Sequence, residues 1–113
     1  MNHRDHLALT FKFLRDDGFT HGSDAVYVHL HALDAAHGGG FFHATLSTVW
    51  PRLIAAHMQQ ADDDFDAFIS RELELRDKML PLRFYSSERL WSEDARRRFV
   101  EPDLRDLPRI TWI

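Results

Sequence analysis

Apolar residues recur at helical spacing along the first two-thirds of the chain. Leu7, Phe11 and Leu14 form one stripe, with Arg4, Asp5, Lys12, Arg15 and Asp16 on the other side. This pattern predicts a helix over residues 5–16, ended by Gly18 as a C-cap. Val26, Leu30 and Leu33 make a second stripe, which predicts a helix over 24–37 between the N-cap Ser23 and the stop Gly38-Gly39-Gly40. A third helix, over 43–60, carries Leu46, Trp50, Leu53 and Ile54 on one face. Pro51 inside it predicts either a kink or a helix that starts there. Asp62-Asp63-Asp64 ahead of Phe65, Phe68 and Ile69 suits the start of a fourth helix, because carboxylates are favoured at the positive end of a helix dipole.

Beyond Pro81 the pattern shortens. Ser92 to Arg98 predicts a short capped helix with Glu93–Arg97 and Asp94–Arg98 as pairs one turn apart. Pro102 and Pro108 impose irregular chain, and the apolar end Ile110-Thr111-Trp112-Ile113 is expected to dock on the body or on a partner. The expected fold is all-α: a small up-down helical bundle of about four main helices. It forms a single helical domain over 1–113, with the main helices in 1–80 and an irregular, packed segment with short helices in 81–113.

Composition narrows the function classes. The 113 residues are 44% hydrophobic and include nine Phe and three Trp, enough to fill one core. The net charge of −4, with Arg96-Arg97-Arg98 as the one dense basic patch and acids flanking it, argues against a nucleic-acid partner held by phosphate contacts. No apolar run approaches the ~20 residues that span a bilayer. The polar start Met1 to His6 lacks the apolar core of a signal peptide, so the expectation is a cytoplasmic protein without a membrane partner. There is no nucleotide-cofactor motif.

The candidate chemistry lies in eight histidines and the absence of cysteine. Advanced at about 100° per residue, His3, His6 and Thr10 share the apolar arc of the first helix. His37 continues the stripe of the second helix, and His43 and His57 lie on the apolar face of the third. His31 groups with Tyr27 and Asp34 on the polar side, and His29 sits at the margin. Short loops favour antiparallel neighbours, which bring His6 (or His3), His37 and His43 to one end of the bundle. His57, roughly 21 Å along the helix from His43, falls outside that site.

Three inward imidazoles can hold a divalent transition metal (iron, zinc, copper or manganese), or can serve as an acid/base pair without one. His6, His37 and His43 are therefore the candidate metal ligands and catalytic residues. Thr10, Thr45, Ser47, Trp50, Arg83 and Tyr85 are the candidate substrate-binding residues. The competing expectation is a core of structural histidines in a non-catalytic interaction module, such as an obligate homodimer, with the aromatic excess and the apolar end as its interface.

Two stretches carry a resemblance. One runs His6-Leu7-x-Leu9-Thr10, then Ala36-His37-Gly38, then Phe42-His43-x-Thr45-Leu46-Ser47. The other runs Leu82-Arg83-Phe84-Tyr85-Ser86-Ser87-Glu88-Arg89-Leu90-Trp91-Ser92 and continues from Ala95 to Asp103. Together they resemble a small family of bacterial all-helical proteins. The resemblance implies that His6, His37 and His43 belong to a shared pattern and that His29 and His31 do not. It implies no particular reaction. The family pattern has Tyr-His-Glu-Thr where this chain has Phe42-His43-Ala44-Thr45, so a role for that Glu would be missing here. The expected function is small-molecule binding, with metal-assisted or histidine acid/base chemistry, at the inward His cluster.

Overall fold

The computed structural model describes residues 2–111, which are all-helical with no strand among them. Helix α1 spans His3–Ala36, α2 spans Ala44–His57 and α3 spans Phe65–Arg71. Two single 3-10 turns, Leu73–Arg76 and Leu80–Arg83, lead to the short helices α4, Ser87–Leu90, and α5, Glu93–Arg97. No helix among the described residues is long and apolar enough to cross a membrane.

The helices expected over 5–16 and 24–37 are two arms of α1, joined at one broken residue. Gly18 has φ 78° and ψ 178°, a conformation open essentially to glycine alone. Helix resumes at once after it, so Gly18 is a hinge where a stop was expected. Ser23 lies within the second arm, and there is no helix start for it to cap. The start of α1 is instead secured by Asn2. Its side chain accepts from the Asp5 N–H (2.8 Å) while the Asp5 carboxylate accepts from the Asn2 N–H, a reciprocal capping box.

The arms run antiparallel and touch near the hinge. A Cβ placed on Gly22 would lie 2.5 Å from the Phe13 carbonyl oxygen and 2.8 Å from Leu14 Cα. Two helical turns further on, the His29 ring lies 6.0 Å from that of Phe13.

Helix α2 packs against this hairpin. It runs unbroken through Pro51, so the alternative of a helix starting at the proline is set aside. Having no N–H, Pro51 deprives the Ser47 carbonyl of its donor one turn ahead. Asp64 caps α3 by accepting from the Ala67 N–H (3.0 Å), and Ser92 caps α5 through the Ala95 N–H (3.1 Å). The core unites Leu7, Phe11 and Leu14 with Leu53, Ile54 and Phe68, all essentially buried. Phe11 stacks against Phe68 at 5.0 Å.

The C-terminal third is irregular but fastened. Thr45 Oγ1 donates to the Arg98 carbonyl (3.0 Å) and accepts from the Val100 N–H (3.2 Å). The Tyr85 hydroxyl donates to the Val100 carbonyl (2.6 Å), and Arg52 donates to the Pro108 carbonyl (3.2 Å). Glu93–Arg97 and Asp94–Arg98 are paired as the spacing predicts, both fully in solvent and so of small energetic weight. Ile110 packs on the core, while Trp112 and Ile113 of the expected docking end lie outside the described residues.

The Gly22 contact gives the first prediction. Gly22→Ala drives a methyl into backbone that has no side chain to swing aside, and should destabilise the protein by about 2 kcal/mol in chemical denaturation. Unchanged stability would mean that the arms do not touch there.

Candidate functional site

Where the arms of α1 run on from their contact, they and α2 enclose a cavity of about 490 Å³, within the range of small-molecule sites. Leu7 comes from the first arm, Val26, Leu30 and Leu33 from the second, and Leu46 and Ile54 from α2. These make the body apolar. Phe41 and Phe42, on the loop between the helices, reach the wall as well.

His3, His6, His37 and His43 all line this one space, as do Thr10, Ser47 and Trp50. The proximity follows from antiparallel arms: the start of the first, the end of the second and the start of α2 meet at the end away from Gly18.

The histidines differ sharply in what their nitrogens are free to do. His43 is the N-cap of α2. Its Nδ1 accepts from the Leu46 N–H (3.1 Å), and its Nε2–H donates to the Leu90 carbonyl (2.8 Å). An N–H can only donate and a carbonyl can only accept, so this pair fixes the neutral Nε2–H tautomer. Burial is the main influence pushing the His43 pKa below its ordinary value. Neither nitrogen is left for a metal or a substrate proton, which corrects the expectation that His43 acts directly.

His37 directs Nδ1–H to the Leu33 carbonyl (2.8 Å). Its Nε2 then carries an uncommitted lone pair. The His6 ring has no hydrogen-bond partner among the described residues, and burial lowers its pKa too. The His3 ring packs edge-on against Trp50 at 4.8 Å and bonds the Leu75 carbonyl (2.9 Å).

Among the described residues no three His, Asp or Glu side chains are arranged to hold a metal ion. His6, His37 and His43 thus share a wall without forming a ligand set, and the residues present do not fit the expected three-histidine site.

Three expected substrate-binding residues stand elsewhere. Thr45 is completely buried and spends its hydroxyl on the Arg98–Val100 backbone. Tyr85 is equally buried on Val100, its pKa pushed up to about 12, mainly by burial. Arg83 pairs with Glu74 (3.0 Å), which also binds His57. All three hold structure together. Thr10 does line the cavity, with its hydroxyl turned to the His6 carbonyl (2.8 Å).

Asp34 was read on the polar side of its helix, yet it lies in the cavity wall. Its Oδ1 accepts from the Phe41 N–H (3.1 Å), a bond across the glycine loop that leaves Oδ2 free. The loop folds back over the end of α1, and helical angle alone cannot register that. Ser47 contributes a hydroxyl without a protein partner among the described residues, beside the carbonyl released by Pro51.

Set against known protein families, curated proteins and solved structures, the chain matches none of them. The functional argument therefore rests on the cavity itself.

The depressed histidines predict a pH dependence of defined sign. A base whose folded-state pKa lies below its ordinary 6.5 stabilises the fold above that value, and the stabilisation is lost as pH falls through the folded-state pKa. Tm should fall between pH 7 and pH 5. In His43→Asn the cap is kept but the ionisable group is gone. This variant should melt lower at pH 7, for want of the Leu90 bond, with a shallower loss on acidification. A slope equal to that of the parent protein would show that His43 is not a titrating cap.

Proposed function

We propose that the protein binds a small, mostly apolar molecule in the cavity between α1 and α2. The observation that supports this is an apolar space whose wall carries polar groups with spare bonding capacity. The His6 ring, His37 Nε2, the Ser47 hydroxyl and one oxygen of Asp34 all face it with no internal partner. Such a cleft, apolar in its body with a few polar groups at its wall, has the make-up of small-molecule sites.

If chemistry accompanies binding, His37 Nε2 is the base of this reading, held in its tautomer by the Leu33 carbonyl as acid/base histidines are. Ser47 would orient the ligand. His43, with both nitrogens committed, takes no part in this reading.

One observation favours a second reading, an interaction module or homodimer. Phe41 is 87% exposed and Trp91 45% exposed, aromatic surface that a partner would cover. Light scattering distinguishes the two: a concentration-dependent dimer that Phe41→Ser abolishes supports the interface, and a monomer at all concentrations removes it.

The direct test of binding uses the neutral fluorescent probe N-phenyl-1-naphthylamine. The expected result is saturable binding at one site. Leu30→Trp, which fills the cavity with a larger ring, should weaken that binding by at least about tenfold while circular dichroism shows the same helix content. No binding to the parent protein, or equal binding to Leu30→Trp, would overturn the proposal.

A further inference from the structure

The charges in and around the cavity constrain what it holds. Leaving the histidines aside, Asp34 is the sole formally charged side chain of the wall among the described residues, with no Lys or Arg beside it. Burial holds His6 below its ordinary pKa, so it adds little positive charge at neutral pH. None of the ion pairs among the described residues involves Asp34.

The place of Asp34 in its helix sharpens the point. It lies in the last turn of α1, which carries no basic residue. The C-terminal end of a helix bears roughly half a negative charge, which favours a cation and opposes a carboxylate. Here the helix end and the carboxylate sit together beside an apolar space, and no Lys or Arg among the described residues lines it. Phe41 and Phe42 add aromatic rings to the same region of the wall, surfaces that attract ammonium groups and offer nothing to anions.

Resting on the ligand-binding reading above, we infer that the ligand is an amphiphilic amine, with an alkyl or aryl body between Leu30, Leu46 and Ile54 and its ammonium on the free Oδ2 of Asp34. A carboxylate or phosphate ligand of the same shape would meet two negative features at that end of the cavity. A neutral alcohol would fill the body of the cavity and leave the Asp34 charge unanswered.

A matched eight-carbon series tests this by calorimetry at pH 7.5: n-octylammonium, octan-1-ol and octanoate against the parent protein and Asp34→Asn. The asparagine oxygen still accepts the Phe41 N–H, so the loop is held while the charge is removed. The parent protein should bind octylammonium at least about tenfold tighter than octanol, with octanoate the weakest. Asp34→Asn should erase the preference for octylammonium over octanol. Equal affinities, a preference for octanoate, or an ammonium preference that survives Asp34→Asn would each overturn the inference. So would failure of all three to bind while N-phenyl-1-naphthylamine still does, which leaves the cavity reading intact. Failure of that probe as well removes the cavity reading and the inference with it.

Discussion

Gly22 rests on the backbone of Phe13 and Leu14, and this contact lets α1 double back on itself immediately after Gly18. The arms are pressed together near the hinge. Towards the far end Leu7 of the first arm and Leu30 and Leu33 of the second line the cavity, with residues of helix α2 completing its wall. Space remains there because the close contact is at the other end. The cavity is a geometric consequence of where the small residue falls, and the same geometry gathers the ends of three helical segments, with their histidines, at its wall.

The C-terminal third is fastened to the rest by polar bonds to the backbone as well as by packing. Thr45 and Tyr85 converge on Arg98–Val100, and a buried hydroxyl that satisfies a carbonyl avoids the penalty of leaving either unpaired. Leu90, whose carbonyl receives the His43 Nε2–H, ties the same region to the start of α2. One of the three candidate histidines is thereby committed to architecture. The nitrogens with freedom to act belong to His6 and His37, which line the same cavity.

Much of this was legible in the chain and some was not, for physical reasons. The apolar stripes placed Leu7, Phe11, Leu14, Val26 and Leu53 in the core, where they are buried, because burial follows the helical period. The all-α class and the helix starts at Asp64–Phe65 and Ser92–Glu93 could be read from local capping chemistry. Gly18 could not be told from a stop, since hinge and C-cap use the same positive φ. Thr45 and Tyr85 were read as ligand contacts because their partner segment lies 53–55 and 15 residues away, beyond any local signal. Asp34 was missed for the same reason: its place is set by a loop bond to Phe41. His43 had no signature as a cap, since that position usually belongs to Ser, Thr, Asp or Asn.

The central claim is that the space between the arms of α1 and α2 takes a ligand. Titrating n-octylammonium into isotope-labelled protein, followed by amide and imidazole NMR shifts, tests it most directly. The account predicts saturable shifts at Leu30, Leu46 and Trp50 and at the imidazoles of His6 and His37, with little change in the Arg98–Val100 segment. Shifts confined to residues outside the cavity wall, such as the exposed Trp91, or no saturable shifts at all, would contradict it.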